Sequence, residues 1–245
     1  MRDVLFFPLN ELEELVISTD CSGGIGLKDR DVVKVPYDTV GYYGARVAFM
    51  ELMSVGATPI AMVMQNFIHD EAWRQLLGGV NQVMTELDLA VPVTGSTESN
   101  MPLLQSAVGF MLLGKIQKNE KRISITPRSA KLAVVGEPLV GEKVITYQNR
   151  VLPLSIFRQL LKAPGIYEII PIGSKGISYE VEQLLAQNST KKKTISCALP
   201  LNVSSGPATS VLISYCPEFE ENIKLIAKDY FFPINFIDNG RKNIT

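Results

Sequence analysis

The sequence predicts an α+β fold, in which strands and helices mix without the regular alternation of a doubly wound sheet. Two observations carry this prediction. Apolar residues recur at helical spacing in some segments, and short apolar runs bounded by glycine or proline lie between them. A polar segment, 117–124, then divides the chain into two predicted domains, 1–118 and 119–245.

The composition is that of a soluble globular protein, with 245 residues, 46% hydrophobic and 20% charged. A formal net charge of −1 argues against a nucleic-acid partner, which requires clustered basic residues. The three cysteines are far apart and show no metal-binding spacing. Because no apolar run approaches the ~20 residues needed to span a bilayer, we expect a cytoplasmic protein without a membrane partner.

The first predicted strand, 14–19, leads into Asp20 and a glycine-rich turn at 21–26. The segment 39–59 predicts an amphipathic helix, because apolar residues recur at three- to five-residue intervals and Gly56 provides a left-handed end. A strand at 60–67 and a helix starting at Asp70 follow. The remaining predicted elements of this half are a strand at 90–93, a turn at 94–98 and a strand at 107–116.

The second half predicts a similar mixture of elements. A strand is expected at 131–136, a helix at 151–162 with a proline in its first turn, and a strand at 167–172. A glycine-flanked turn, 173–176, precedes another helix. Further strands are expected at 194–199, 209–215 and 234–237, with a helix opened by Pro217 before the last of them.

Three acidic residues are candidates for a metal site. Asp20 and Glu98 lie in turns that follow apolar runs, and Glu51 could join them from the helix. Hard cations such as Mg²⁺ take oxygen ligands of this kind and keep several waters while they bind phosphates. The alternative interpretation is that Glu51 is a surface residue and Asp20 a turn former. His69, the only histidine, is more typical of a surface or capping residue than of a catalytic one.

Whole phrases along the chain resemble the aminoimidazole-ribonucleotide (AIR) synthase-like superfamily, which includes selenophosphate synthetase and thiamine-monophosphate kinase. In order, these phrases are Asp38-Thr-Val-Gly41, MELMSVGATP (50–59), GSTESNMP (95–102), Gly173-Ser-Lys-Gly-Ile177 and Ser205-Gly-Pro-Ala-Thr209. Two positions depart from the family pattern. Met50 stands where the family helix usually carries Asn, and Tyr43 stands where an acid is common, so fewer or different metal ligands are expected.

Within the superfamily the chain resembles the α-ribazole kinase branch, through MRDVL, DVVKVPYDTVGYYGARVAFME and IPIGSKGISYEVE. The resemblance implies an ATP- and Mg²⁺-dependent kinase that phosphorylates a hydroxyl of a small metabolite in cobalamin lower-ligand salvage. It leaves two alternatives: another ATP-dependent member, of the thiamine-phosphate kinase or amidine-forming ligase type, or a non-catalytic nucleotide-binding paralogue.

The resemblance also implies a set of site residues. Asp20, Glu51 and Glu98 would hold Mg²⁺, and Asp20 and Lys175 would act in catalysis. ATP would be bound by Gly95, Ser96, Thr97, Ser174 and Gly176. A lysine between glycines is also typical of a solvated turn, so the role of Lys175 stays open.

The superfamily dimerises by joining two N-terminal sheets into a shared barrel, so a homodimer is expected. The apolar strands 60–67 and 107–116 are candidates for the dimer surface, since an exposed patch of that size requires an explanation. Burial of both strands in the monomer core is an equally good interpretation.

Overall fold

The structure, a computed structural model, describes residues 3–237. The strands in this range are β1 (Val4–Pro8), β2 (Glu13–Gly23), β3 (Ile25–Gly26), β4 (Val33–Lys34), β5 (Thr58–Asn66), β6 (Val93–Thr97), β7 (Ala107–Gln117), β8 (Lys131–Val135), β9 (Ile166–Pro171), β10 (Thr194–Ser196), β11 (Val211–Tyr215) and β12 (Phe231–Ile237). The helices are α1 (Tyr37–Ser54), α2 (Asp70–Leu87), α3 (Glu142–Thr146), α4 (Leu154–Lys162), α5 (Gly176–Gln187) and α6 (Glu220–Ala227).

The first half forms a five-stranded sheet in the order β1-β2-β7-β5-β6. All neighbours are antiparallel except β5 and β6, which are parallel. The centre of the sheet is the pair β2–β7, in which all 11 residues of each strand find a partner. One face of the sheet is covered, because the alternate residues Val16, Phe110 and Met64 are buried beneath the helices.

Helices α1 and α2 cross at close range over this face. A side chain on Gly41 would lie 2.1 Å from the carbonyl oxygen of Leu76, and one on Gly79 would lie 2.0 Å from that of Asp38. Only glycine allows the two backbones to approach so closely. Gly44 plays the same part against the sheet, since a Cβ there would lie 2.1 Å from the ring of Phe110.

The second half forms an antiparallel sheet in the order β10-β12-β8-β11-β9. Its strands are apolar on both sides because helices cover both faces. Val134, Ile170 and Leu212 pack against α5, whereas Ala133 and Ile213 face the core that contains α4 and α6. The mixed α+β architecture agrees with the sequence-based prediction.

The predicted domain boundary at 118/119 falls on a short helical turn at 118–120. The main hydrophobic core nevertheless continues across it. One cluster of buried side chains joins Val16 and Leu52 of the first half to Leu152, Phe157 and Ile213 of the second. Helix α1 therefore supports both sheets. At the predicted boundary the chain passes from the first sheet to the second, while the hydrophobic core is continuous.

Two predicted turns are strands. The segment 21–26 is predicted to be a turn, but residues 21–23 continue β2. The segment 94–98 is also predicted to be a turn, but residues 95–97 form most of β6. The reason is long-range pairing: β7 and β5 extend far enough to bind both segments, and this overrides the local turn preference of glycine and serine. Strand β1 was missed altogether.

The first sheet stays open within the monomer, with β1 and β6 as its edges in the described chain. Pairing into a shared barrel remains a prediction. Between residues 3 and 237, none of the helices has the length and apolar character needed to cross a membrane.

Candidate functional site: a cleft at Asp20 between the two halves

Asp20 lies near the end of β2, on the face of the sheet that supports α1. The register shows this, because Asp20 pairs with Phe110, whose ring contacts Gly44 of the helix. Two residues earlier on the same face, the hydroxyl of Ser18 donates a 2.7 Å hydrogen bond to the carbonyl oxygen of Ala48. This bond fixes the helix over the strand, so Asp20 is held beside the first turns of α1.

The carboxyl group of Asp20 faces a cleft of about 370 Å³ between the two halves of the chain. The first half supplies the end of β2, both short strands and the first turns of α1. The second half supplies the segment around α3 and the loop before β11. The lining residues are Asp20, Cys21, Ser22, Gly23, Ile25, Val33, Val35, Thr39, Val40, Tyr43, Gly44, Val140, Gly141, Val144, Ile145, Ser204, Gly206 and Pro207.

Burial raises the pKa of Asp20 to about 6, and a hydrogen bond from the backbone N–H of Cys21 offsets part of that effect. The lining of this cleft, in the described chain, includes no Lys, Arg or His. Asp20 is therefore a carboxylate that would gain from a cation or a proton supplied by a ligand. A carboxyl group with a raised pKa in a cleft is a typical feature of functional sites.

A network of buried hydroxyl groups joins the two walls that come from the second half. The hydroxyl of Thr209 donates to the carbonyl oxygen of Glu137 at 2.9 Å and accepts from the N–H of Leu139 at 3.0 Å. It also lies 2.8 Å from the hydroxyl of Ser205, which is equally close to that of Ser210. The loop 204–207 and the segment 139–145 are thereby held as one unit facing Asp20.

The structure does not bring the three predicted metal ligands together. Glu51 is buried on α1 and lines a different, narrow cleft beside Glu180 and Tyr179. Glu98 follows β6 and accepts hydrogen bonds from the N–H groups of Asn100 and Met101, which lower its pKa. Within residues 3–237, no group of three His, Cys, Asp or Glu side chains is placed to hold a metal ion.

Asp20 alone nevertheless fits one common mode of Mg²⁺ binding. In that mode the ion takes one or two carboxylates and completes its coordination with water and substrate phosphates. A cation would also stabilise the charged form of Asp20, which burial disfavours. Glu51 and Glu98 remain predictions from the family resemblance.

The predicted ATP-binding residues Gly95, Ser96 and Thr97 lie on β6, an edge strand paired with β5. Gly95 pairs with Met64, Met64 pairs with Phe110, and Phe110 pairs with Asp20, so Gly95 and Asp20 lie in one row across the sheet. Three strand spacings separate the two ends of this row, or roughly 14 Å. The residues of β6 thus belong to the same end of the sheet as Asp20 but not to its cleft.

The predicted residues Ser174, Lys175 and Gly176 form the turn that starts α5. Gly176 has a φ of +79°, and a Cβ there would lie 2.9 Å from the carbonyl oxygen of Leu201. This glycine is thus required by packing against the loop 201–205, whose continuation lines the cleft. Lys175 is exposed, with Nζ 4.3 Å from the centre of the Tyr179 ring.

A second cleft, of about 360 Å³, lies on the other side of Tyr43 and is more polar. Its walls include Asp38 and Glu86, and the hydroxyl of Tyr42 donates to Glu86 at 3.0 Å. The fully buried Arg46 also contributes, but its guanidinium already donates to the carbonyl oxygens of Leu152 and Ala208, at 2.6 and 3.1 Å. Arg46 therefore joins α1 to the second half.

Sequence reasoning identified Asp20 but missed most of its surroundings. Tyr43 was noted only as a departure from the family pattern, whereas it lies between the two clefts. Val144 and Ile145 carry no chemical signal in the sequence, because apolar residues line a core as often as a ligand site. A basic residue within the small-residue stripe of a helix was the one signal that could have singled out Arg46.

Solved structures with the same fold are known, although no protein-family model matches the sequence and a search of curated proteins finds no relative. Thermotoga maritima PurL complexed with ATP is 13% identical, with a TM-score of 0.60 over 95% of this chain and 42% of its own. Thiamine monophosphate kinase from Aquifex aeolicus is 12% identical, with a TM-score of 0.62 over 89% and 84%.

Escherichia coli HypE, a hydrogenase maturation protein, is 14% identical, with a TM-score of 0.64 over 91% of this chain and 79% of its own. All three are AIR synthase-like proteins. The fold of this chain is therefore AIR synthase-like, as the sequence phrases predicted. The chain spans less than half the length of PurL and most of the length of the kinase and of HypE.

Proposed function

We propose that this protein is an ATP- and Mg²⁺-dependent kinase that phosphorylates a hydroxyl group of a small metabolite. The best specific candidate is α-ribazole. The single observation that carries the proposal is the half-buried carboxyl group of Asp20 in a ligand-sized cleft between the two halves of an AIR synthase-like fold. Solved structures of that fold include one described as AaThiL complexed with AMPPCP and TMP, which supports ATP use.

In the proposed reaction the acceptor oxygen forms a bond to the γ-phosphorus of ATP. The bond between that phosphorus and the β–γ bridging oxygen breaks, ADP leaves, and the hydroxyl proton passes to solvent. Such transfer depends on positioning and on neutralising oxygen charge. Mg²⁺ bound at Asp20 would supply that neutralisation, and the fixed position of Asp20 beside α1 would align the reactants.

The test is ADP release with Mg-ATP, with and without α-ribazole, by the wild type and Asp20→Asn. We expect acceptor-dependent turnover that falls at least a hundredfold in the variant, since removing one transition-state contact costs about 10²–10³ in rate. Turnover that ignores α-ribazole would point to another ATP-dependent enzyme of this fold. Bound ATP without turnover would favour a non-catalytic nucleotide-binding protein.

We further propose that two copies associate through the uncovered face of the first sheet. The side chains of Leu5, Ile17, Leu113 and Ala61 follow one another in register across that face. Leu5 is 60% exposed, and the other three are half-buried without a covering helix in the described chain. A matching apolar face on a second copy is the partner that would bury them most simply.

A further inference from the structure

The second cleft, beside Tyr42, has no part in the proposed reaction. Its walls are the first turns of α1, the last turns of α2 and the segment 148–153 of the second half. Thr39 and Tyr43 line both clefts, whereas Asp20 lines only the first. The volume of about 360 Å³ falls within the range of about 300–1,000 Å³ for small-molecule sites.

The charges of this cleft do not balance. Asp38 and Glu86 supply two carboxylates, and Arg46 is the one basic residue among the described residues of the lining. Arg46 is fully buried, and its guanidinium donates to the carbonyl oxygens of Leu152 and Ala208 at 2.6 and 3.1 Å. Its donors are thus engaged by the protein, and one negative charge remains in excess. A cation suits this cleft better than an anion.

Glu86 occupies a position that helix stability does not favour. It lies in the last turn of α2, where the carbonyl groups carry partial negative charge and no basic side chain is present. Its carboxylate accepts hydrogen bonds from the hydroxyl of Tyr42 and from the side-chain amide of Gln82, both at 3.0 Å. These donors are neutral, so they fix the carboxylate without cancelling its charge. A bound cation would stabilise both the carboxylate and the end of the helix.

An aromatic pair and an apolar wall complete the cleft. The rings of Tyr42 and Tyr43 are half-buried and perpendicular, with centres 5.1 Å apart, so they form a corner. Aromatic rings attract organic cations, and those with several alkyl groups bind in aromatic cages. Val151, Leu152 and Pro153 lie in the wall that the second half contributes, where alkyl groups would find contacts.

We propose that this cleft binds a small organic cation of the alkylammonium type, with its charged group beside Glu86 and Asp38. The proposal is independent of the kinase function, because it uses neither Asp20 nor ATP. An inorganic metal ion fits less well, since no group of three His, Cys, Asp or Glu side chains within residues 3–237 is placed to hold one.

The first arm of the test compares charged and uncharged probes by calorimetry at low ionic strength and pH 8. The probes are choline, butylammonium, the uncharged choline isostere 3,3-dimethyl-1-butanol, and sorbitol. We expect at least one of the two cations to bind with a Kd below about 1 mM, and the isostere to bind at least about tenfold more weakly than choline. No binding of either cation, equal affinity for the isostere, or preference for sorbitol would overturn the proposal.

The second arm removes one charge with Glu86→Gln. Glutamine keeps the size of the side chain and an acceptor for the hydroxyl of Tyr42, so the fold should be retained. We expect the affinity for the better-bound cation to fall at least about fivefold, because one of the two carboxylates is lost. The matched control is Glu71→Gln, which removes an exposed carboxylate from the first turn of the same helix and should bind like the wild type.

The location of the bound cation is tested with Asp20→Asn. If this variant loses affinity for the cation while Glu86→Gln does not, the cation lies in the first cleft and the proposal is wrong. Wild-type affinity in Glu86→Gln, or an equal loss in its control, would also overturn it. If Glu86→Gln fails to fold, Asp38→Asn, at an exposed position of the lining, replaces it with the same expected loss.

Discussion

Asp20 illustrates how a single residue acquires its chemistry from packing. Its pKa is 3.8 in an unfolded chain and about 6 in the fold, because the charged form loses hydration under α1. The folded state therefore binds a proton more tightly than the unfolded state. The contribution of Asp20 to the stability of the wild type is therefore greatest below pH 3.8, and it falls as the pH rises towards 6.

Asp20→Asn should remove this pH dependence. With EDTA present, we expect the variant and the wild type to be nearly equal in stability at pH 4. At pH 8 the variant should be more stable by about 1–2 kcal/mol. Each pKa unit of the shift from 3.8 to about 6 is worth about 1.4 kcal/mol, and contact with solvent in the open cleft reduces the total effect. Thermal unfolding of both proteins across this pH range measures the difference.

Glu98→Gln is the matched control. The pKa of Glu98 is lowered, so the fold favours the charged form of this carboxyl group, whereas it disfavours the charged form of Asp20. Any effect of that variant should be a loss of stability that develops as the pH rises towards the ordinary pKa of a glutamate, 4.5, and that stays constant above it. A wild type and an Asp20→Asn variant that unfold at a constant difference in Tm from pH 4 to pH 8 would contradict the prediction for Asp20.

Arg46 carries a second prediction at the residue scale. Its guanidinium is fully buried and satisfies the carbonyl oxygens of Leu152 and Ala208. Arg46→Met keeps much of the side-chain volume but leaves these acceptors unpaired, so we expect a loss of about 2–4 kcal/mol in the free energy of unfolding. Urea unfolding gives the value. The control is Arg74→Met, at an exposed position of α2. If Arg46→Met lowers the free energy of unfolding by less than about 0.5 kcal/mol, the role assigned to Arg46 is wrong.

The sequence identified Asp20 as a candidate because an acid after an apolar run is a local pattern. It could not show that Glu51 and Glu98 lie elsewhere. Their positions depend on strand register and on the rotation of α1 over the sheet, which are set by contacts between distant segments. Register is the information that a single sequence carries least.

At the scale of elements, two adjacent glycines on α2 give a sharp contrast. A Cβ on Gly79 would lie 2.0 Å from the carbonyl oxygen of Asp38, whereas a Cβ on Gly78 would meet nothing within 4 Å. We expect Gly78→Ala to stabilise the protein by about 0.5–1 kcal/mol, through higher helix propensity. Gly79→Ala should destabilise it by more than about 2 kcal/mol, because α1 must move away.

Chemical denaturation of the two alanine variants, run side by side, checks the prediction. Equal stabilities would show that α1 and α2 separate without cost.

Helices α1 and α2 were well predicted, because the apolar periodicity of the segment 39–59 and of the helix that starts at Asp70 is a local property. Helix α3 was not predicted. The extents of β2 and β6 were not, because each is fixed by the neighbouring strand that pairs with it.

At the scale of the whole molecule, strands β5 and β7 each have one buried face and one uncovered face. Met62, Met64 and Phe110 are buried in the monomer core, while Val63 and Met111 alternate with them on the uncovered face, whose role as a dimer surface stays a proposal. Alternation is the natural result when a strand has one face on the core and the other available to a partner.

The proposed dimer gives a direct test. Val63→Lys places a charge in the middle of the uncovered face, so we expect it to convert a dimer into a monomer in light scattering coupled to gel filtration. Leu225→Lys, at an exposed site on α6, should leave the mass unchanged. A wild type that runs as a monomer at all concentrations, or a variant that stays dimeric, would exclude this face as the interface.

The continuous core beneath α1 has a mechanical consequence. Enzymes with two separate lobes commonly admit substrate by a hinge motion of one lobe against the other. Here such a swing would pull Leu52 and Phe157 out of one shared core and break the bonds of Arg46. Exchange of a ligand in the cleft at Asp20 should therefore depend on local displacement of the segments 139–145 and 204–207, with the two sheets behaving as a single rigid frame.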